Sequence, residues 1–307
     1  MELVRLESLA GRGWSSSAVA LGNFDGVHRG HQALVAEVVA APVGPSVVLT
    51  FDPHPARVLN PGTAPTSLMT LEQKAEVLGG LGVDRLAVLA FTTRLAQTSA
   101  ADFARQVLRD ALGAARVVVG EGFHFGRGRE GDVAALAGIG AALGFDVRSV
   151  QPVFDGGAPI SSSRIRDLLA AGDVRRAADL LGRRFFVDGP VVHGAGRGRN
   201  LGIPTANVAA RNETLPSQGV YACWFRPGRD AARRPAVANL GRRPTFGEGP
   251  PALEAHLLDF DADLYGQEAR VEFVEKLRGE RTFPSASALV GQVRLDVEAA
   301  RAVLEKP

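Results

Sequence analysis

A chain of 307 residues is long enough for one large domain or two ordinary ones. Its 46% hydrophobic content supplies globular cores, while the single cysteine, Cys223, excludes an internal disulfide and a cysteine-rich zinc cluster. The net charge of +2 argues against a nucleic-acid-binding surface, and no apolar run reaches the roughly 18 residues that a membrane span needs. Glu2 and Glu7 stand among Arg5 and Arg12 at the amino terminus, which is not the pattern of a signal peptide. A cytoplasmic protein is expected. Lysine occurs only at Lys74, Lys276 and Lys306, so no Gly-x-x-x-x-Gly-Lys-[Ser/Thr] loop exists and a P-loop kinase is excluded.

From about residue 16 to 150, short β-branched runs alternate with helical patterns. The apolar run Ala18–Leu21 reads as a strand and is followed by a glycine-rich turn, Gly22-Asn23-Phe24-Asp25-Gly26-Val27-His28-Arg29-Gly30-His31. A helical pattern with Leu34, Val35, Val38 and Val39 comes next. Such a turn aims backbone N–H groups and the positive end of a helix at one point, which suits phosphate. Gly22, Gly26 and Gly30 allow a positive φ or close backbone approach. His28 and His31, two of only six histidines, are spaced so that both imidazoles can donate to one phosphate group.

Further strands are predicted over 47–51, 86–91, 116–119 and 145–150, and helices over 70–81, 100–112 and 132–143. Strand–helix alternation of this kind implies a parallel sheet covered on both faces, with ligands at the carboxyl ends of the strands. The unusual clusters fall there. Asp52 and His54 lie between two prolines after the second strand, either as a strand-ending turn or as the wall of a site. Gly120-Glu121-Gly122-Phe123-His124-Phe125 follows the fourth strand, and its aromatics suit stacking on a flat ring. Gly126-x-Gly128-x-x-Gly131 matches a dinucleotide fingerprint but follows an irregular loop rather than a strand, and is discounted. Ile160-Ser161-Ser162-Ser163-Arg164-Ile165-Arg166 opens a helix. Its hydroxyls and guanidinium groups make a second phosphate cradle.

A short helix over 173–181 precedes a change of character after Gly182. Strand-like stretches over 185–187, 191–192, 219–225, 236–239, 252–260 and 269–274 are separated by Gly/Pro turns, as in an antiparallel barrel. A last helix presents Leu289, Val293, Val297, Ala300 and Leu304 on one face. Between the first barrel strands lies a glycine-rich flap over 193–202, containing Gly198, Arg199 and Gly202. It leads into Pro204-Thr205-Ala206-Asn207, where Thr205 and Asn207 alternate to one side. Their uncharged oxygens suit a magnesium ion whose charge a phosphate ligand already balances. On the predicted strand over 252–260, Leu253, Ala255 and Leu257 share one face and Glu254 and His256 the other. Alternation alone leaves Glu254 either solvated or a general base. Asp259, Asp261 and Asp263 read as a solvated turn rather than a metal cluster.

Several of these stretches carry a resemblance. The run Gly22 to His31 resembles the Gly-x-Phe-Asp-Gly-x-His-x-Gly-His signature of nucleotidylyltransferases, and most of all that of the bacterial bifunctional riboflavin kinase/FAD synthetase family. Thr50-Phe51-Asp52-Pro53-His54-Pro55 matches a run of the same family. Ile160 to Arg166 is similar to its Ile-Ser-Ser-Thr-x-Ile-Arg, with Ser163 in place of threonine. Pro204-Thr205-Ala206-Asn207 matches the riboflavin kinase signature without a break. The resemblance runs from about residue 15 to 300 and departs at Gly122, where the family usually has Asn or Asp against the flavin.

The resemblance implies an α/β architecture. A nucleotidylyltransferase-type, Rossmann-like parallel sheet domain over 1–182 is followed by a riboflavin-kinase-type antiparallel β-barrel with a carboxyl-terminal helix over 183–307. It implies that ATP phosphorylates riboflavin to FMN, and that a second ATP adenylylates FMN to FAD with release of pyrophosphate. In the first half it assigns His28, His31 and Arg166 to catalysis and Gly22, Asn23, Phe24, Asp25, Gly30, Ser162 and Ser163 to ATP. Asp52, His54, Phe123 and Phe125 are assigned to the flavin. In the second half Glu254 is the base, Gly198, Arg199, Gly202 and Pro204 hold ATP, Thr205 and Asn207 hold Mg2+, and Asn239 and Arg243 meet the flavin. The partners are then riboflavin, FMN, FAD and ATP, with no nucleic acid and no membrane; the oligomeric state stays open. Two readings compete: a kinase with a weakened adenylyl site at Gly122, and a non-catalytic flavin-binding regulator.

Overall fold

The computed structural model describes residues 1–6, 14–194, 202–228, 231–241 and 252–305. By packing, the chain divides into two compact units, Met1–Thr66 with Thr70–Ser161, and Ser67–Met69 with Ser162–Pro307. Gly198, Arg199 and Arg243 lie outside the described residues.

The first unit is built on six parallel strands: β1 (Glu2–Leu6), β2 (Ser17–Leu21), β3 (Ser46–Phe51), β4 (Arg85–Leu89), β5 (Ala114–Gly120) and β6 (Asp146–Val150). Their order across the sheet is β1-β4-β3-β2-β5-β6. From β2 at the centre the chain winds outward one way through β3 and β4, then returns to the other side of β2 for β5 and β6. Such a reversal opens a crevice at the carboxyl ends of the two central strands. All five residues of β2 are buried, which explains its unbroken apolar run.

β1 lies outside the strands expected from the sequence. Val4 and Leu6 are each 3% exposed, while Glu2, Leu3 and Arg5 face solvent. An edge strand with only two buried positions leaves too short a pattern to separate from a charged terminus. Four helices follow expectation more closely, α1 (Arg29–Val39), α3 (Leu71–Gly80), α5 (Ala100–Phe103) and α6 (Val133–Leu143), whereas the short α2 (Pro55–Leu59) and α4 (Thr93–Ala96) lie outside the helices expected from the sequence. Thr70 caps α3 with a full capping box, its hydroxyl accepting from Gln73 N while Thr70 N donates to Gln73 Oε1. The helix predicted over 100–112 is α-helical only at first. Ala104–Ala111 is wound as a π-helix, with Leu112 N donating to Val107 O at 3.1 Å.

The second unit begins with α7 (Ser162–Ala171) and α8 (Val174–Leu181), the latter ending on Gly182 at φ 69°. A small hairpin, β7 (Phe154–Asp155) and β8 (Ala158–Pro159), precedes them in the first unit. The barrel is closed from β9 (Phe186–Val192), β10 (Ala206–Val208), β11 (Gly219–Pro227), β12 (Arg234–Gly241), β13 (Ala252–Leu257) and β14 (Glu268–Arg278), in the order β10-β13-β12-β11-β14-β9. The two strands predicted over 185–187 and 191–192 are one. Gly189 lets β9 run against the neighbouring backbone, since a Cβ there would stand 2.0 Å from Ala209 O. Closure removes the sheet edges.

The carboxyl-terminal helix Ala286–Leu304 covers part of the barrel wall, where Val297, Val303, Leu304 and buried Ala300 pack with Val220, Ala222 and Val237. Its inner face also carries Asp296, only 4% exposed, held by both arms of the Arg278 guanidinium at 2.9 and 2.7 Å. A hydrophobic pattern does not show such a pair.

Candidate active sites on the two units

In the first unit, the loops after β2, β3 and β5 leave the carboxyl ends of three neighbouring strands. The loop after β2 carries strained backbone. Phe24 and Val27 adopt φ of 48° and 42°, and Gly26 one of 81°. For side-chain-bearing residues such values cost on the order of 1–3 kcal/mol each. Both Phe24 and Val27 are fully buried, so packing holds them there. Gln32 Nε2 donates to Val27 O at 3.0 Å and fixes the far end of the loop to α1.

His28 is the N-cap of α1, its Nδ1 accepting from His31 N at 3.3 Å. An accepting Nδ1 leaves the hydrogen of the neutral ring on Nε2. The two imidazoles stack with centroids 3.6 Å apart. Gly30 lies under this stack, where a Cβ would stand 3.1 Å from His28 Cε1. Gly30 and Gly22 thus serve close approach, and Gly26 the positive φ. His28 is buried, His31 part-buried, and Asn23 exposed. The loop therefore brings together a helix amino end and two ring N–H donors, the components of an anion cradle.

Asp52 is exposed and bridges to Arg5 at 3.2 Å. His54 caps α2, with Nδ1 accepting from Ala56 N at 3.1 Å. After β5, Phe123 and Phe125 stack with centroids 5.6 Å apart. Phe125 is only 7% exposed and belongs to the core with Phe103, whereas Phe123 is part-buried at its edge. A Cβ at Gly122 would meet nothing within 4 Å, and the Gly122 carbonyl accepts from His124 Nδ1 at 3.0 Å. The discounted glycine fingerprint follows an irregular loop, as its sequence context implies.

In the second unit, Ser162, Ser163 and Arg166 stand in the first turns of α7, Ser163 exposed and the other two part-buried. The barrel supplies a second cluster by strand register. Asn207 on β10 lies directly opposite Glu254 on β13, which lies directly opposite Asn239 on β12. Directly opposed residues of an antiparallel pair share a face. Their neighbours Ala206, Val208, Leu253, Ala255, Ala238 and Leu240 are all buried on the other face. Glu254 is part-buried in this row.

A residue that sequence reasoning missed completes the arrangement. His256, two positions beyond Glu254, donates from Nδ1 to Pro204 O at 2.8 Å. It ties the Pro-Thr-Ala-Asn segment to β13. Gly194 lies against Asn207, where a Cβ would fall 2.3 Å from Nδ2. Thr205 and Asn207 line a cavity of about 560 Å³ together with Phe260, Asp261, Asp263 and Tyr265. His193 stacks on Tyr265 at 3.9 Å. Asp259 pairs with Arg301 at 2.7 Å, and Asp263 accepts from Tyr265 N. Among the described residues no cluster of His, Cys, Asp and Glu could hold a metal by itself.

The family models divide the chain in the same order. FAD synthetase matches residues 12–164 and riboflavin kinase residues 181–304. A Pseudomonas fluorescens relative, a bifunctional riboflavin kinase/FMN adenylyltransferase, is 45% identical over 92% of this chain and 91% of its own. The chain belongs to the bifunctional riboflavin kinase/FMN adenylyltransferase family. A relative of the same description from Escherichia coli K12 is 38% identical over 98% of this chain and 97% of its own. A solved structure described as a macrolide-efflux protein from Streptococcus pneumoniae superposes with a TM-score of 0.88 at 29% identity, covering 98% of this chain and 99% of that one. Among the described residues no helix is long and apolar enough to cross a membrane. The parallel-sheet domain, the closed barrel and the last helix agree with the family's expected architecture, and both enzyme domains of the family are present.

Proposed function

We propose that the barrel phosphorylates riboflavin to FMN and that the α/β unit adenylylates FMN to FAD, each with its own ATP. The row Asn207–Glu254–Asn239 supports the first assignment most strongly. Glu254 takes the proton of the riboflavin primary hydroxyl as its oxygen attacks the γ-phosphorus and ADP leaves. Asn239 sits beside it on the flavin side. Thr205 and Asn207 offer neutral oxygens to a divalent cation whose charge the ATP phosphates balance. Gly194 keeps that amide uncrowded, and the cavity beside it accommodates phosphates. The cation supplies charge neutralisation on the phosphates.

In the adenylyl transfer the FMN phosphate attacks the α-phosphorus and pyrophosphate leaves. The nucleophile is already ionised, so the protein aligns and neutralises rather than moving protons. His28 and His31 donate N–H to the transferring oxygens. The family resemblance assigns the leaving pyrophosphate to Ser162, Ser163 and Arg166 at the start of α7. Phe123 and the Asp52–His54 turn flank the flavin. Residues 1–182 and 183–307 are the corresponding functional halves, and a cytoplasmic setting is part of the same proposal.

Supplying riboflavin and ATP, then FMN and ATP, with chromatography of the flavins, tests both assignments. FMN and FAD should form in succession from the first mixture, and FAD with pyrophosphate from the second. A chain that makes FMN but no FAD would remove the adenylyl assignment.

A further inference from the structure

Lys74 is one of three lysines and sits on α3. It is 8% exposed. Its Nζ donates to Asn23 O at 2.7 Å and to Thr50 Oγ1 at 3.1 Å. The Thr50 hydroxyl in turn donates to the same Asn23 carbonyl at 2.9 Å. Two donors therefore converge on one carbonyl, immediately before the residue where the loop turns to positive φ. Pulling the Asn23 carbonyl toward β3 and α3 fixes the peptide that leads into Phe24 and Asp25.

A buried amine is a poor structural residue. A methionine of similar length would fill the space without a desolvation cost. Burial pushes the Lys74 amine down to about 8, while Asp25 and then Asp52 pull it back up. It is thus a cation at neutral pH, beneath a loop whose ligand is an anion.

We propose that Lys74 is a positioning residue for adenylyl transfer, holding the Asn23 carbonyl and placing a buried positive charge behind the loop that receives the ATP phosphates. This rests on the assignment of that loop to ATP. The charged groups around it are Asp25 of the loop and Asp52 after β3, the latter paired with Arg5 of β1. Glu72 and Glu76 of its own helix are exposed. His28 and His31 are the other titratable groups of the loop.

The test uses the full-length chain and compares wild type, Lys74→Met and His31→Ala. FAD formation from FMN and FMN formation from riboflavin are measured between pH 6.5 and 9.5, with thermal transitions. In Lys74→Met, kcat/KM for FAD formation should fall roughly ten- to a hundredfold, the order that a small misplacement of reacting groups costs. The kinase rate and the thermal transition should not fall. In wild type, kcat/KM for FAD formation should decline above about pH 8. The decline in kcat should lie at higher pH, because bound phosphate stabilises the ammonium. Lys74→Met should lack this limb. An unchanged adenylyl rate in a folded Lys74→Met overturns the proposal. If that variant does not fold, a flat wild-type profile across pH 7 to 9.5 overturns it instead. If His31→Ala keeps full FAD formation, the assignment of the loop has failed; if only Lys74→Met keeps it, the loop stands and Lys74 falls.

Discussion

The two units position their reactive groups in opposite ways. The α/β unit uses irregular backbone: a turn of positive-φ residues, a helix cap made by His28, and a stacked His28–His31 pair. The barrel uses its most regular feature, the ladder, to set Asn207, Glu254 and Asn239 in a row. Neighbouring strands lie about 4.8 Å apart, so register alone fixes the spacing of these side chains. An anion cradle needs converging N–H groups, which regular strands spend on each other. A carboxylate set between two amides needs fixed spacing, which a ladder supplies.

Changes that break one mode should leave the other untouched. Glu254→Gln has the largest expected effect. It removes the proposed base without disturbing the row, so FMN formation should drop by about 10²–10⁴-fold, the usual contribution of a general base. FAD formation from FMN should stay near wild type. His31→Ala comes next. Losing one preorganised donor should lower FAD formation by roughly 10²-fold, with the kinase rate unchanged. The loop survives this change in part, because the His28 cap bonds the backbone N–H of residue 31 rather than its ring.

Two smaller effects sharpen the account of the barrel. Gly194→Ala places a Cβ 2.3 Å from Asn207 Nδ2, so the amide must shift. The cation dependence of the kinase should move to higher concentration by roughly tenfold, the scale of one disturbed ligand orientation. His256→Ala removes a single hydrogen bond of 2.8 Å to Pro204 O. A loss of about 1 kcal/mol would raise the kinase KM for ATP by about fivefold, as steady-state kinetics should show. An unchanged KM would mean that Pro204 and Thr205 hold their place without it.

The legibility of the two sites in the sequence differs for the same reason that their construction does. The loop after β2 announces itself locally, because glycine and histidine have to be adjacent in sequence to make a cap, a tight turn and a stacked pair. Thr205 and Asn207 also stand out, since their run carries its own signature. Register is not local, however. Alternation puts Glu254 on the right face, yet its position between Asn207 and Asn239 depends on pairing across 47 and 15 residues of separation, read as differences of their numbers. His256 and Lys74 act across separations of 52 and 51 residues, and each looks ordinary in its own segment. A lysine in an amphipathic helix reads as a solvent-facing residue; only the scarcity of lysine hints otherwise. The edge strand β1 and the buried Asp296–Arg278 pair are hidden likewise, since neither has a pattern until its partner is in place.

The central claim is that one chain holds ATP in two places and cuts it at two different phosphorus atoms. The most direct measurement is a crossed assay of Glu254→Gln and His31→Ala, following FMN made from riboflavin and FAD made from FMN in each folded variant. The account predicts that the first variant loses only FMN formation and the second only FAD formation. If either variant, with a native thermal transition, lost both activities together, the two sites would be one.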